Sequence, residues 1–346
     1  MLMNMKEIAR KAGVSVATVS YVLNRTGNVS DKTRREILQI IKKEGYVPNR
    51  MAKGLRAHKT DTIGVLAEDV TAFQTPRIIN GINSYMESRG YHVLLSDLGM
   101  LKKIGGDYSR IPEFRGEIDV SLQLFESAQV DGIIYVAVHD RDVSHLLEGI
   151  SEPLVYAYCY DDSEEYVYVT YDNKEITREA IRYLIGHGHR HIGVIMGCSD
   201  SKPAQMRFEA FKECMEENGL TADSRFVYAG DWEFESGRKA YESYREQKEQ
   251  PTAVFAMNDL MALGFMDAAL DDGRKLPDDV EVIGFDNRES CRYSRPRLTT
   301  VDLPLEKIGY EAGRTVLDLI HNQKPEKKEI ILPCRMIIRG KEEQAE

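Results

Sequence analysis

The chain has 346 residues, of which 42% are hydrophobic and 29% are charged, and its formal net charge at pH 7 is −10. That composition suits a packed core and argues against a disordered chain. No apolar run approaches the length of a membrane span, and charges interrupt the N-terminal segment, so we expect neither a membrane protein nor an exported one. The expected location is the cytoplasm.

Positive charge is concentrated at the N-terminus. Residues 1–60 contain 13 Lys and Arg against four Asp and Glu, whereas the other 286 residues contain 33 against 52. A basic segment favours a polyanionic partner, and an acidic remainder favours a different one. The five cysteines are scattered without a CxxC pair, which predicts free thiols and neither a metal nor a cofactor.

The first 47 residues predict three short helices. Gly13 ends the first, Ser15 is placed to cap a second over 16–23, and Ser30 and Asp31 can begin a third over 31–44 that ends at Gly45. Helix, glycine-containing turn, helix is the helix-turn-helix layout, whose second helix enters the major groove. The expected inward-facing side chains are apolar and helically spaced: Ile8, Ala9, Ala12, Val19, Val22, Leu23, Ile37, Leu38, Ile40 and Ile41.

The segments AGVSVATVSYVLN, VSDKTRREILQIIKKEGYVPN and RMAKGLRAHKTDTIGVL resemble the N-terminal region of the lactose/galactose-repressor (LacI/GalR) family of bacterial transcription regulators. The resemblance implies that the start of the second helix reads bases and that its neighbours hold phosphates. Val16 and Ala17 can pack against thymine methyl groups, and Tyr21 can also hydrogen-bond. Core packing is the alternative for Val16. The implied major-groove residues are Ser15, Val16, Ala17, Thr18, Ser20, Tyr21 and Asn24.

Residues 48–60 resemble the hinge of the same family. The resemblance implies a segment that is helical only on operator DNA, where it lies in the minor groove and Leu55 wedges open a base step. Gly54 lowers helix stability by roughly 0.5–1 kcal/mol relative to alanine, which suits coupled folding. An ordinary flexible linker is the alternative. The implied minor-groove residues are Asn49, Arg50, Ala52, Lys53, Leu55 and Arg56.

From Thr60 onward, strand-like apolar runs alternate with amphipathic helical runs, which predicts parallel α/β layers. No GxGxxG or GxxxxGK[ST] follows a predicted strand, so a nucleotide cofactor is not expected.

The segments TYDN, HGHRHIGVI, AMNDLMALG, VIGFDN and RLTTVDLP resemble the family's periplasmic-binding-protein-like core of two doubly wound parallel-sheet subdomains. The implied organisation is a small all-α helix-turn-helix head (1–47), a hinge (48–60) and a core (61–346). Subdomain one would cover about 61–169 plus 301–328, and subdomain two about 171–299 plus 331–340. The chain would cross between them near 169–172, 298–302 and 328–331.

Several polar side chains follow predicted strands, at the sheet edge where ligands of doubly wound sheets bind. By resemblance, some of them match sugar-contacting positions, and Trp232, the single tryptophan, matches an aromatic residue that borders the pocket. A helix cap is the alternative for Asp286, and a structural ion pair is the alternative for Arg207. Asp259 is interpreted as a cap. The implied effector-binding residues are Asp69, Phe73, Tyr158, Arg207, Trp232, Asn258 and Asp286.

Three features depart from the usual pattern of the family, and the histidine run is considered separately. Residues 99–118 lengthen a connection that is usually shorter in the family, and they form either a surface loop or a cover for the pocket. Alternating tyrosines predict one face of a strand or hairpin: Tyr156, Tyr158, Tyr160, Tyr166 and Tyr168. The C-terminus lacks heptad leucines, which favours a homodimer over a tetramer. The HGHRH run has chelating spacing, but the family has a similar sequence there, so no metal is predicted.

We therefore predict a sequence-specific DNA-binding regulator, most simply a repressor, whose operator affinity is changed by a small carbohydrate bound between the subdomains. The alternatives are a purine or protein co-effector with the same DNA role, and a sugar-binding protein without one. No catalytic set is recognisable, so an enzyme is not expected. The predicted partners are double-stranded operator DNA, a small-molecule effector and a second copy of the chain, with no membrane.

Overall fold

The computed structural model describes residues 4–24, 26–46, 59–147, 149–323 and 325–339. The chain divides into two compact units, Met1–Thr60 and Asp61–Glu346, called here the head and the core. The predicted hinge contacts lie outside the described residues: Asn49, Arg50, Ala52, Lys53, Leu55 and Arg56.

The head consists of the three predicted helices, α1 (Met5–Ala12), α2 (Val16–Asn24) and α3 (Asp31–Glu44). Ser15 Oγ accepts a hydrogen bond from Thr18 N at 3.1 Å, which caps α2, and Ser30 Oγ accepts one from Thr33 N at 3.2 Å, which caps α3. The predicted bounds of these helices are confirmed to within one residue. Ile8, Ala9, Val19, Val22 and Ile37 form the buried centre of the head.

Leu38 is an exception to the predicted apolar face of α3, because 47% of its surface is exposed. Its neighbour Ile37 is fully buried. Adjacent helical residues point about 100° apart, and α3 turns Ile37 toward the head's core and Leu38 toward the surface.

Lobe one of the core is built on a six-stranded parallel sheet with the order β11-β5-β4-β3-β1-β2. The sheet carries α4 (Thr75–Arg89), α6 (Arg115–Ala128) and α11 (Leu305–Ile320), and the short α5 (Met100–Ile104) follows β2. The strands are β1 (Thr62–Ala67), β2 (His92–Asp97), β3 (Gly132–Val136), β4 (Leu154–Ala157), β5 (Val167–Tyr171) and β11 (Glu329–Leu332).

Two glycines allow α4 and α11 to touch backbone to backbone. A Cβ atom on Gly81 would lie 2.0 Å from the carbonyl oxygen of Glu306, and one on Gly309 would lie 1.9 Å from the carbonyl oxygen of Ile78. No other residue fits either position without separating the helices. This contact joins the end of the core sequence to its beginning.

Lobe two is built on a four-stranded parallel sheet with the order β7-β6-β8-β9. Its strands are β6 (Ile192–Met196), β7 (Val227–Ala229), β8 (Ala253–Ala256) and β9 (Glu281–Ile283). Its helices are α7 (Lys174–Gly186), α8 (Lys202–Glu217), α9 (Phe234–Arg245) and α10 (Asp259–Asp271). The predicted core of two parallel-sheet subdomains is confirmed.

The chain passes from lobe one to lobe two after β5 and returns at β10 (Thr300–Asp302). It leaves lobe one again only after β11, since Leu332 still pairs with Tyr171 in the first sheet. That last crossing therefore falls later than the predicted 328–331, just before β12 (Arg335–Ile337), which pairs antiparallel with β10. All four residues of β11 pair with β5, so the whole strand belongs to the first sheet.

The prediction that the alternating tyrosines share one face is wrong. Tyr156 packs in one cluster of lobe one, edge to face with Tyr135 at 5.9 Å, whereas Tyr158 belongs to the other cluster and stacks on Tyr171 at 5.5 Å. Strand β4 ends at Ala157, and Tyr158 has a positive φ of 63°, which reverses the direction of its side chain. Among the described residues, no helix is both long and apolar enough to span a membrane.

Candidate functional site

One face of helix α2, which carries both polar and apolar side chains, points away from the head's core. At 100° per residue, Val16, Ala17, Ser20 and Tyr21 lie within a sector of about 140°. Val16 is 40% exposed and Tyr21 is 48% exposed. Burial of Val16 in the core, the alternative interpretation, is therefore not observed.

The ring of Tyr21 is held in place by the turn that follows α2. Gly27 has a φ of 70°, and a Cβ atom there would lie 2.8 Å from Tyr21 Cγ. The glycine thus admits the tyrosine ring against the turn. Ser15 uses its hydroxyl oxygen as the helix cap and also contacts the Thr18 hydroxyl at 2.9 Å, while Asn24 is the last residue of the helix.

A cavity of about 450 Å³ lies between the two lobes of the core. Lobe one contributes His139 and Asp140, which follow β3, and lobe two contributes Ser201, Lys202 and Trp232. Of the seven predicted effector residues, only Trp232 lines this cavity.

Trp232 packs on the backbone of lobe two. A Cβ atom on Gly197 would lie 1.9 Å from the indole ring, so the glycine admits the ring. The indole Nε1 is buried and has no hydrogen-bond partner among the described residues. The residue also lines the cavity, so its ring can form part of a ligand's surroundings.

Arg207 lies buried, where it joins the strand ends of both lobes. Its Nη2 donates to the hydroxyl of Tyr171 at 2.9 Å, its Nε donates to Asn173 Oδ1 at 2.8 Å, and its Nη1 donates to the carbonyl of Met257. The guanidinium also stacks on Phe285, 3.5 Å from the ring centroid. All three nitrogen atoms of the guanidinium therefore donate hydrogen bonds within the protein.

Three carboxyl groups are buried close to this cation or to each other. Burial raises the pKa of Asp140 to about 6, against the opposing charge of Arg207. Burial also raises the pKa of Asp286 to about 6, opposed by Arg288 and Arg207. For Asp259, burial and then repulsion from Asp286 raise the pKa to about 7.

We expect Asp259→Asn to gain stability relative to the wild type as the pH rises from 5 to 8. An acid whose folded-state pKa exceeds its ordinary value of 3.8 binds its proton more readily when folded. Its stabilising contribution is present below about pH 4 and is lost as the pH rises through about 7. Thermal unfolding at several pH values measures the difference, with the exposed Glu246→Gln as control. A difference that stays constant with pH would contradict the assignment.

Two predicted effector residues have local structural roles. Asn258 caps α10, because its Oδ1 accepts from Met261 N at 2.8 Å while its Nδ2 donates to the carbonyl of Trp232 at 2.7 Å. The prediction that Asp259 is the cap is wrong, since Asp259 instead accepts hydrogen bonds from the Thr300 hydroxyl and from the backbone N–H of Arg288.

Asp69 fastens the segment that follows β2. Its Oδ1 accepts from the backbone N–H and hydroxyl of Thr71, and its Oδ2 accepts from Leu101 N at 2.9 Å. Phe73 lies under the guanidinium of Arg288, which is 4.1 Å from the ring centroid. These contacts lie away from the cavity.

Tyr158 and Asp286 lie in the buried layer around Arg207. Tyr158 stacks on Tyr171, and the Asp286 carboxylate is 3.5 Å from Arg288 Nε. Asp286 does not cap the short 3-10 helix that follows, because the residue before that helix is Arg288.

The sequence analysis missed His139 and Asp140, although both follow β3 and satisfy the same strand-end rule that selected the others. His139 Nε2 is 3.1 Å from Ser201 Oγ, and burial lowers the pKa of His139 to about 3, so the imidazole is neutral at pH 7. Asp140 is buried, and its Oδ2 accepts from Asn173 Nδ2 at 3.3 Å.

Two of the three histidines in the HGHRH run contact a carboxylate. His187 Nδ1 and His189 Nε2 lie 3.1 Å and 2.9 Å from Glu281 Oε2. These contacts connect the end of α7 to β9.

Comparison with known proteins adds two family matches. Residues 4–49 match the model of bacterial regulatory proteins of the lacI family, and residues 181–340 match the periplasmic binding protein-like domain. Catabolite control protein A of Priestia megaterium is 32% identical over 336 residues, which cover 96% of this chain and 97% of that protein. The HTH-type transcriptional repressor PurR of Escherichia coli O139:H28 is also 32% identical, over 96% of this chain and 95% of that protein.

Two solved structures of transcription regulators are also similar to the chain. The complex of the transcriptional regulator CelR with cellobiose has a TM-score of 0.67 and 27% identity, and covers 97% of this chain and 99% of that one. The lac repressor dimer bound to operator and the anti-inducer ONPF has a TM-score of 0.81 at 24% identity, with 98% of each chain covered, and supports the fold.

Proposed function

The chain belongs to the LacI family of bacterial regulatory proteins, as a DNA-binding transcriptional repressor and not an enzyme, and we propose that a small carbohydrate in the interlobe cavity changes its operator affinity. The observation that carries the proposal is the cavity itself. It is lined by the rings of Trp232 and His139 and by the polar side chains of Asp140 and Ser201, which together suit a ligand with a C–H face and hydroxyl groups that both donate and accept.

In the head, Val16, Ala17 and Tyr21 are the proposed base readers. The exposure of Val16 and Tyr21 and the fixed ring of Tyr21 support this role. The remaining proposed major-groove residues position α2 on phosphates through hydroxyl and amide groups: Ser15, Thr18, Ser20 and Asn24. The hinge residues 49–56 keep their proposed minor-groove role on the strength of the family resemblance.

We expect Tyr21→Ala to weaken binding to an operator selected from random DNA by about 1–3 kcal/mol, the usual contribution of a good base contact. Binding to unrelated DNA and the salt dependence should stay as in the wild type, since no phosphate contact is lost. The exposed Gln39→Ala in α3 is the matched control. Equal losses on operator and unrelated DNA would show that Tyr21 contacts the backbone instead of bases.

The effector is proposed to be an uncharged sugar. One similar structure contains cellobiose, whereas several relatives carry the name PurR, so a purine is the main rival. Sugars hydrogen-bond along their whole edge and stack through one face, and the buried carboxylates near the cavity suit hydroxyl groups better than phosphates. Arg207, Tyr158 and Asp286 are proposed to reach the effector when the lobes open around it, with Asp69, Phe73 and Asn258 supporting the surrounding loops.

Trp232 provides the test of the effector class, because it is the single tryptophan and lines the cavity. Intrinsic fluorescence and thermal unfolding are measured against a panel of mono- and disaccharides, with guanine and hypoxanthine as controls. A sugar that changes the fluorescence and raises the melting temperature supports the proposal. A response to a nucleobase alone would replace the sugar with a purine.

Operator binding with and without that sugar gives the sign of the response. Linkage requires reciprocity, so a sugar that weakens operator binding must itself bind more weakly to the operator-bound protein.

A homodimer in the cytoplasm is the proposed working form. Val120 and Leu124 lie one turn apart on α6 and are 66% and 48% exposed, which suits a surface covered by a second copy. A twofold dimer binds a palindromic operator with two heads. The operator titration should therefore saturate at two chains per palindromic site.

A further inference from the structure

Residues 99–118, the stretch that is longer than in the family, form a packed wall of the interlobe cavity. The segment folds as α5 and a 3-10 helix (Tyr108–Phe114), and it buries Met100, Ile104 and Ile111 in a core cluster of lobe one. Asp69 Oδ2 accepts a hydrogen bond from Leu101 N and fixes the start of the segment. The wall is therefore part of the folded core and has a defined position beside the cavity.

Three aromatic rings form a row beside the cavity, and one of them belongs to this segment. Tyr108 stacks on His139 with a centroid distance of 4.8 Å and an interplanar angle of 16°. His139 in turn meets Trp232 of lobe two at 5.8 Å and 66°. All three residues line the cavity. The row runs from the added segment, through lobe one, to lobe two, and such rings offer faces on which the C–H face of a sugar can pack.

Polar side chains from both lobes line the cavity beside these rings. Lobe one contributes Asp140, and lobe two contributes Ser201, whose Oγ lies 3.1 Å from His139 Nε2. A carboxylate accepts hydrogen bonds, whereas a serine hydroxyl can donate or accept them. The hydroxyl groups of a ligand can pair with both.

The charges around the cavity are unfavourable for an anion. Its two lining cations are already paired, Arg141 with Glu68 at 2.6 Å and Lys202 with Asp162 at 3.1 Å. Four carboxylates also line it: Asp107, Asp140, Asp142 and Asp200. A phosphate group would meet this excess of negative charge without an unpaired cation to receive it.

We propose that Tyr108 is a specificity-determining residue: it forms the outer wall on which an uncharged sugar ring packs, while the acidic lining rejects phosphorylated sugars. This inference rests on the proposed carbohydrate effector. It assigns to the added segment the choice of which sugar the repressor detects.

The test uses Trp232 fluorescence titrations of the full-length protein with glucose, galactose, maltose and cellobiose. The sugar that binds most tightly to the wild type, together with its 6-phosphate ester, is then titrated into three variants. Tyr108→Leu keeps apolar volume but removes the ring, and Tyr108→Phe keeps the ring. Arg110→Ala changes the same segment at a residue that does not line the cavity.

We expect Tyr108→Leu to weaken sugar binding about tenfold and Tyr108→Phe to stay within about twofold of the wild type. Arg110→Ala should match the wild type, and the 6-phosphate should give no response. Acrylamide quenching should rise in Tyr108→Leu, because the ring beside His139 no longer shields the cavity. An unchanged melting temperature in that variant would show that the loss is local.

The outcomes separate the two proposals. Wild-type affinity in Tyr108→Leu overturns the role of Tyr108 while leaving the sugar effector intact. Equal binding of the sugar and its 6-phosphate overturns the selection by charge. If no sugar binds the wild-type protein, the carbohydrate proposal fails and the role of Tyr108 fails with it.

Discussion

Glu68→Gln is expected to lower the free energy of unfolding of the core by about 3–5 kcal/mol, the usual effect of breaking a buried ion pair. Glu68 is fully buried after β1, and its carboxylate accepts from Arg141 Nη2 at 2.6 Å and from Arg141 Nη1 at 3.1 Å. It also accepts from Val138 N at 2.8 Å and from the hydroxyl of Tyr135. The amide would leave the guanidinium charge without a counter-charge and would turn one acceptor into a donor.

Chemical denaturation of the wild type and the variant measures this loss. Glu113→Gln is the matched control, because Glu113 pairs with Arg110 at the surface and such pairs contribute less than about 1 kcal/mol. The double variant Glu68→Gln, Arg141→Met should recover part of the stability, since no buried charge then remains. A loss in Glu68→Gln no larger than that in the control would show that solvent already screens the pair.

The same ion pair positions the cavity. Glu68 binds both Val138 and Arg141, and these two residues flank His139 and Asp140. Loss of the pair should therefore disturb effector binding as well as stability. A buried electrostatic network in lobe one thus holds the loop that carries the neutral imidazole of His139 and the buried carboxyl group of Asp140.

The helices of the head could be predicted almost to the residue, because their boundaries depend on local chemistry. Ser15 and Ser30 cap the helices that follow them, and Gly13 and Gly45 adopt the positive φ that ends a helix. The parallel sheets of the core also followed from the alternation of strand and helix patterns. In both cases the information lies within one or two turns of chain.

Contacts between distant parts of the chain were the ones that the sequence did not reveal. Glu68 and Arg141 are 73 residues apart, and nothing in either local pattern indicates that they pair. The positive φ of Tyr158 reverses a side chain that a regular strand would have placed beside Tyr156. The conformation of residues 99–118 also depends on contacts between distant parts of the chain, since Asp69 and His139 position that segment.

The candidate effector residues divide in the same way. The rule that picks polar residues at strand ends pointed to the edge of the sheets where the cavity lies. It could not distinguish a side chain that lines the cavity from one that only stabilises the fold. The side-chain amide of Asn258 caps a helix and donates to the carbonyl of Trp232, whereas Trp232 itself lines the cavity. Applied to β3, the same rule would have selected His139 and Asp140.

Arg207→Met is expected to lower the free energy of unfolding of the core by about 3–5 kcal/mol at pH 8, and by clearly less at pH 5. At pH 8, Asp140 and Asp286 are charged, since each has a pKa of about 6, and Arg207 is a cation that stabilises both. Without it, both pKa values rise further. At pH 5 the two carboxyl groups are largely protonated and need the cation less, so the variant loses less.

Denaturation of wild type and Arg207→Met at both pH values measures the difference, with the surface Arg182→Met as control. A loss that is equal at pH 5 and pH 8 would mean that Arg207 acts through its hydrogen bonds to Tyr171, Asn173 and Met257 and not through its charge. The pH dependence thus distinguishes a stabilising role of the Arg207 charge from one of its hydrogen bonds. If the charge dominates, an uncharged effector can bind beside Arg207 without displacing the carboxylates that it neutralises.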